Sequence, residues 1–370
     1  MFSTVACQFL EQNIVLKNIL IIHPGPLGNH SATLYFCKLL KYKYNVHYIG
    51  IDEGAGYLEE ERINIFHLKP TKNKFVRKYK YFKCVLGKLK TNKFSFVLLN
   101  YFPLCSLFLI FNRNINVEIR SGYIFKQKLK RIIFNHFLKI EASLFKNIIT
   151  LSFDLKNNLK LPQRTKIIPL GGPQQPANNL DFNTLSFLYV GTFRQRNLHF
   201  TIEAFNIFLN NIHDFQPQYH IVGFGSHEEV ELINKIIKTY KLENSVFFHG
   251  EVRYPELFKF FSQCNVGISY VPNTEYFRFQ PSTKTLEYLL NGMPVIATDI
   301  VDHKNIINTS NGVIINDDVN SIAHGFKYIY QNKNKFNSLY IQENSNIYSW
   351  EYIVEEILIP IITQQIDIND

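Results

Sequence analysis

The sequence predicts an α/β protein of two Rossmann-like domains, each a parallel sheet with helices on both faces. Three observations carry this expectation. Apolar runs of strand length alternate with helical stretches along both halves, and strands joined through helices return parallel to one another. The alternation breaks at Gly171-Gly172-Pro173 and the polar run to Asn179, which reads as a linker. A chain of 370 residues with 46% hydrophobic content is long enough for two separate cores. The expected domains are residues 1–172 and 173–350.

Asn18 to His23 opens the first domain as a strand, followed by Pro24-Gly25-Pro26-Leu27-Gly28-Asn29 and a helical pattern through Leu34, Cys37 and Leu40. A strand, a glycine-bearing loop and a helix begin many nucleotide-type domains, although these glycines do not match the dinucleotide fingerprint. Val46 to Ile51 and Ile63 to Leu68 are strands on either side of an acidic loop at Glu59, Glu60 and Glu61. From Lys69 to Lys93 there are ten Lys or Arg and no Asp or Glu, with Phe75, Tyr79, Phe82, Leu86 and Leu89 at helical spacing. This is an amphipathic basic helix, its apolar stripe covering a sheet and its cations facing outward. Phe96 to Leu99 and Val117 to Arg120 are strands. The apolar run from Phe94 to Phe111 is interrupted by Asn100, Pro103 and Ser106 and is too broken to span a bilayer. A second basic stretch interleaves Lys126, Lys128, Lys130, Arg131 and Lys139 with Phe125, Leu129, Ile133, Phe134 and Phe137. Ile148 to Leu151 is a strand, Ser152 precedes a helix to Leu161, and Lys166 to Leu170 is the last strand before the linker.

In the second half, Ser186 to Val190 is a buried strand, Gly191 opens a loop with Arg194 and Arg196, and a helix runs through Ile202, Ala204, Phe205 and Phe208. Arginines in a strand-to-helix loop stand where α/β sheets bind ligands, and arginine suits bidentate phosphate contacts. Tyr219 to Val222 leads into Gly223-Phe224-Gly225, glycines that turn the chain or admit a nucleotide base. Val246 to His249 and Val266 to Tyr270 are strands with a helix, Glu256 to Ser262, between them. Gly312 to Ile315 is a further strand, and helices begin at Ser321 and Trp350.

The stretch Phe279 to Asp299, FQPSTKTLEYLLNGMPVIATD, organises this half. Ser282 or Thr283 caps a helix that turns Leu286, Leu289 and Leu290 inward, Gly292 stops it, and Val295 to Ala297 is a strand. Lys284 and Glu287 share one face beside a helix N-terminus, whose free N–H groups suit a phosphate. They read either as a nucleotide site, with Lys284 on phosphates and Glu287 on ribose hydroxyls, or as a surface ion pair.

A net charge of +10 points to an anionic partner, whether nucleic acid, a membrane surface or a phosphorylated substrate. The basic aromatic stretches both fall in the first half and suit an anionic leaflet. They lack a nucleic-acid reading motif, so no nucleic-acid partner is expected. Cys7, Cys37, Cys84, Cys105 and Cys264 are odd in number and scattered, as in reduced cytosolic proteins, and form no metal-ligand pattern. The first residues lack the features of a secretory leader. His23 and His249 read as ordinary strand-end residues and Trp350 as a packing residue.

With FLYVGTFRQRNLHFTIEAF, YHIVGFGS, VFFHGEV, CNVGISYVP, STKTLEYLLNGMPVIATD, NGVIIN and YSWE in this order, residues 186–353 resemble the retaining GT-B glycosyltransferases of group 1, the GT4-like class. Residues 141–170 resemble that family's approach to its linker. The resemblance implies a C-terminal helix, about 351–370, crossing back to complete the first domain. It implies a sugar nucleotide donor held by the second domain, with no cofactor and no metal. Arg196 matches a family lysine on the donor diphosphate; Thr192 stands where the other basic residue is usual, and Arg194 is its substitute. Ser282, Thr283, Gly223 and Gly225 belong to the implied donor site, with Lys284 on the phosphates and Glu287 on the ribose. Phe279, separated from Glu287 by seven residues, replaces the family's first glutamate, as in relatives with an STK variant. Gly25, Gly28 and Arg120 are the implied acceptor side, without the histidine common after the corresponding strand.

The expected chemistry is retaining transfer from a UDP- or GDP-type sugar to a hydroxyl of a lipid-linked glycan, in surface polysaccharide or lipopolysaccharide synthesis. Arg196, Arg194 and Lys284 would stabilise the departing diphosphate. The expected location is cytoplasmic, on the inner face of the membrane. The alternatives are a non-catalytic subunit of the same fold, favoured by Phe279 and the shortened arginine loop, and a nucleic-acid-binding protein.

Overall fold

The structure is a computed structural model and describes residues 16–28, 30–52, 59–69, 71–177, 179–213, 216–252, 254–280 and 282–369. Cys7, Asn29, Pro281 and the first residues, read above as lacking a leader, lie outside them.

The first half runs β1 (Asn18–Ile22), α1 (Ser31–Leu40), β2 (Asn45–Ile51), β3 (Ile63–Leu68), α2 (Lys74–Thr91), β4 (Phe96–Asn100), β5 (Ile115–Ile119), α3 (Lys128–Ser143), β6 (Asn147–Thr150), α4 (Phe153–Asn158) and β7 (Lys166–Ile167). These strands form a seven-stranded sheet in the order β3-β2-β1-β4-β5-β6-β7. The second half runs β8 (Ser186–Thr192), α5 (His199–Leu209), β9 (Gln218–Phe224), α6 (His227–Thr239), β10 (Val246–Phe248), α7 (Phe258–Gln263), β11 (Val266–Ser269), α8 (Thr283–Leu290), β12 (Val295–Thr298), α9 (Val301–Ile306), β13 (Gly312–Ile315) and α10 (Val319–Asn332). Its six-stranded sheet has the order β10-β9-β8-β11-β12-β13, every ladder parallel. The chain closes with α11 (Ser338–Ser345), α12 (Trp350–Ile353), a π-helical turn at Val354–Leu358 and α13 (Ile359–Asn369). Both sheets reverse direction beside their first strand, the Rossmann arrangement that opens a crevice at the carboxyl ends of the two strands flanking the reversal.

The described residues up to Asn100, with Phe108–Ile115 and those from Ile362, form one compact unit; Tyr101–Leu107 and Asn116–Ile361 form the other. In the first unit Phe82 stacks on Phe108 with ring centroids 4.4 Å apart. In the second, Phe187, Phe205, Phe208, Tyr219 and Phe326 make one aromatic core, with Phe187 and Phe326 4.8 Å apart edge to face. Trp350 is fully buried, as its reading as a packing residue anticipates, and Gly172 bridges to Ser349 beside it.

Several expectations are corrected. Arg120 lies just beyond β5 rather than within it, and the strand expected at Lys166 to Leu170 keeps only two paired residues. In α2 the buried line is Tyr81, Val85 and Leu89, whereas Phe75 is 84% exposed and Tyr79 is exposed too. None of the described side chains in the first two turns of α2 is buried, so the covered part of the helix begins at Tyr81. In α3 the expected outward cation Arg131 is buried, donating 2.8 Å to the Phe125 carbonyl and pairing with Glu275.

Candidate functional site

The carboxyl ends of β8 and β11, the strands at the reversal of the second sheet, frame a cavity of ≈ 210 Å³. Residues 189–192 line it from β8, residues 268–271 from β11 and just beyond, and Gln280, Ser282, Thr283 and Lys284 from the approach to α8. Arg196 completes the wall. Parallel strands deliver their loops to this end, and α8 starts there with unpaired N–H groups and the positive end of its dipole.

Arg196 reaches the cavity from a tightly kinked loop in which Gln195 (φ 60°) and Asn197 (φ 48°) both take left-handed conformations. Its guanidinium sits 4.3 Å from the centroid of the Phe277 ring. Burial lowers its pKa from the usual arginine value, and its Nη1 is buried without a hydrogen-bond partner. A half-buried cation with a buried, unfilled donor calls for an anion or a polar acceptor from outside.

Lys284 pairs with Glu287, whose side chain is only 3% exposed, so the two do not form a surface ion pair. Glu287 itself does not line the cavity. Ser282 precedes the helix, but its hydroxyl makes no cap and lies 3.0 Å from Ser269 Oγ instead. Gly292 (φ 73°) follows the helix in the expected left-handed conformation.

Beneath the cavity lies a buried polar cluster that the sequence reading missed. Ser269 Oγ is 2.7 Å from Thr285 Oγ1, and His303 Nε2 is 3.0 Å from the same Thr285 oxygen. His303 Nδ1 lies 2.7 Å from the Thr298 carbonyl, so Nδ1 carries the proton and Nε2 accepts. Burial pushes the His303 pKa down to about 4, and the charge of Arg196 adds to the effect, leaving a neutral imidazole at neutral pH. Asp-His-Lys in a short helix reads as surface. The one signal was its place just after the strand Val295–Thr298.

The remaining expected residues are spread more widely. Thr192 lines the cavity, and its Oγ1 accepts 3.3 Å from the Arg194 N–H, while the Arg194 side chain is exposed and outside the cavity. Gly223 (φ 154°) and Gly225 do not line it either. A Cβ on Gly223 would stand 1.8 Å from the Gly191 carbonyl oxygen, so this glycine lets two loops close together. Arg120 is paired at 2.9 Å with Glu118. In the first unit Gly28 has φ 105°, and the Gly25 carbonyl accepts 2.6 Å from the Tyr48 hydroxyl, which anchors that loop. His23 Nδ1 accepts 3.0 Å from the Gly25 N–H, and His249 Nε2 lies 2.9 Å from His220 Nδ1. Among the described residues no cluster of three His, Cys, Asp or Glu side chains is arranged to hold a metal. Cys37, Cys84, Cys105 and Cys264 are free thiols.

A second cavity, ≈ 600 Å³, adjoins the first at Gln280, which lines both. Phe279 lines the larger one, between α3, α4 and the stretch before α8.

Residues 184–332 match the family model described as Glycosyl transferases group 1. No curated protein matches the sequence. Among solved structures, sucrose-phosphate synthase from Thermosynechococcus elongatus is similar at 17% identity, with a TM-score of 0.75 over 96% of this chain and 100% of that one. Anabaena Alr3699/HepE, solved in complex with UDP and glucose, is similar at 14% identity and TM-score 0.72, over 94% of this chain and 100% of that one. WaaG, a glycosyltransferase involved in lipopolysaccharide biosynthesis, is similar at 14% identity and TM-score 0.64, over 95% of this chain and 99% of that one.

Proposed function

We propose that this chain, a glycosyltransferase by its group 1 domain at residues 184–332 and its GT-B fold, moves a sugar with retention from a UDP- or GDP-type donor to a hydroxyl of a lipid-linked glycan. The observation behind the donor site is the cavity at the reversal of the second sheet, into which Arg196 brings a buried, unfilled cationic donor. The fold neighbour bound to UDP and glucose favours a nucleoside diphosphate there.

In this reading the donor diphosphate lies against the start of α8, with Arg196 and Lys284 beside it. Glu287 fixes Lys284, and reaches the ribose only if its carboxylate turns toward the cavity when the donor binds. As the bond from C1 to the diphosphate oxygen breaks, negative charge grows where those cations and N–H groups already point, which lowers the barrier. The acceptor oxygen bonds to C1 on the same face, and its proton passes to the departing phosphate oxygen. No protein base is required, and fixed cations do the work a metal does elsewhere. Arg194 joins only if its loop folds inward when the donor binds.

The setting we infer is surface polysaccharide or lipopolysaccharide assembly, on the inner face of the cytoplasmic membrane. Supporting this are the similarity to WaaG and the lone-standing outer face of α3, where Leu129, Ile133, Phe137 and Ile140 are exposed among lysines. No helix among the described residues is long and apolar enough to cross a membrane. The division at residues 172 and 173 belongs to the same proposal.

Calorimetric titration with UDP, GDP, ADP and CMP tests the donor site. One nucleoside diphosphate should bind, and Glu287→Ala should weaken it. Arg196→Gln should lower turnover by roughly 10²–10³-fold, the usual cost of losing one preorganised donor to developing charge. If the folded protein binds none of the four, the non-catalytic reading, favoured by Phe279 in the acidic position, replaces this one.

A further inference from the structure

We propose that the larger cavity takes an anionic part of the acceptor, a phosphate, diphosphate or carboxylate carried beside the reacting sugar; this rests on the glycosyl transfer reading above. Five Lys or Arg line the cavity and one carboxylate, Glu275. That carboxylate is already engaged, paired with Arg131 and 3.9 Å from Lys128. Lys139, Lys160 and Arg278 therefore face the cavity with no carboxylate partner among the described residues. Cations of one sign lining a concavity reinforce one another's field, and an anion relieves them.

Two further features fit the same occupant. Gln280 belongs to both cavities, so a group seated among these cations is within a side chain of the donor site. The helix α3 also divides its surface in a telling way at 3.6 residues per turn. Arg131, Leu138 and Ala142 point inward; Lys128, Ile132, Asn135 and Lys139 flank the cavity; and Leu129, Ile133, Phe137 and Ile140 face solvent on the far side. One helix thus sets an apolar face, suited to acyl or isoprenoid chains, next to a basic recess suited to the charged group that joins such chains to sugars.

The full chain is titrated with glucose 6-phosphate, with farnesyl diphosphate and with glucose, and the series is repeated on the Lys139→Gln, Arg278→Gln double variant and on Arg196→Gln. Lys139 is half-buried and Arg278 exposed, and a thermal melt checks that the double variant is folded. We expect a phosphorylated probe to bind more tightly than glucose and to lose at least about tenfold in the double variant, as two charge-assisted contacts imply. Arg196→Gln should leave that binding within about twofold on the same reasoning. Loss confined to glucose 6-phosphate puts the charge on the sugar, and loss confined to farnesyl diphosphate puts it on the lipid linker; either supports the proposal. Binding of neither probe above glucose, or equal binding by the double variant and the parent, overturns it. UDP titrated into the same samples separates the two readings, because the donor site can fail while the basic recess still discriminates.

Discussion

His303 is a base that the fold keeps uncharged under the cavity at the reversal of the second sheet. In the unfolded chain a histidine titrates near 6.5, but here burial and then nearby Arg196 hold it near 4. Between those values the unfolded chain binds more protons, so the stability His303 confers is whole above about pH 6.5 and drains away as acid is added, up to about 3 kcal/mol. Asp302 works the other way, its pKa raised to about 6 by burial and by Asp154, so folding gains from it as the pH falls below that value. Urea midpoints followed from pH 7 to 5 should fall for the parent and fall less steeply for His303→Gln; parallel slopes would remove His303 from the account. This residue was not legible in the sequence because neutral burial depends on partners from three separate elements. Arg196 was legible from its loop, but Arg194 shows the limit of that reading: two residues apart in a kinked loop, one side chain enters the cavity and the other stays in solvent.

Helix α8 owes its position to the absence of a side chain across from it. A Cβ on Gly267 would stand 2.3 Å from the Tyr288 ring, whose hydroxyl accepts 2.9 Å from the Val190 N–H and thereby ties α8 to the end of β8. Gly267→Ala should push the helix off the sheet, cost about 1–3 kcal/mol as overpacking commonly does, and weaken nucleotide binding with it. A melt and a UDP titration on the same sample check this, and an unchanged melting temperature would mean the sheet yields easily. The leucines, Gly292 stop and following strand of this element could be read directly, since periodicity and a left-handed stop are local. The α2 stripe could not be read in the same way. Helical spacing says which residues share a face, but not which face is covered: the buried line runs through Tyr81, Val85 and Leu89, and Phe75 and Tyr79 lie on another side of the helix.

At the scale of the whole molecule, the alternation of strands and helices disclosed two Rossmann sheets, and net charge pointed to an anionic partner. What neither revealed was that the outer face of α3 carries apolar side chains as well as lysines, with Phe137 63% exposed. Binding to vesicles of phosphatidylglycerol should therefore have two components, one from cations that salt weakens and one from apolar burial that salt leaves intact. Leu129→Ser with Phe137→Ser should abolish the salt-resistant part while the low-salt part persists; vesicle binding lost entirely in 0.5 M salt by the parent would show that the apolar face stays out of the bilayer.

The stretch between β11 and α8 is a wall common to both cavities, with Gln280 touching each. A single insertion or deletion there reshapes both recesses in one event. On the function proposed above, donor and acceptor preference would be inherited together through about a dozen consecutive residues, and grafting that segment between relatives would transfer a matched pair of tastes rather than one.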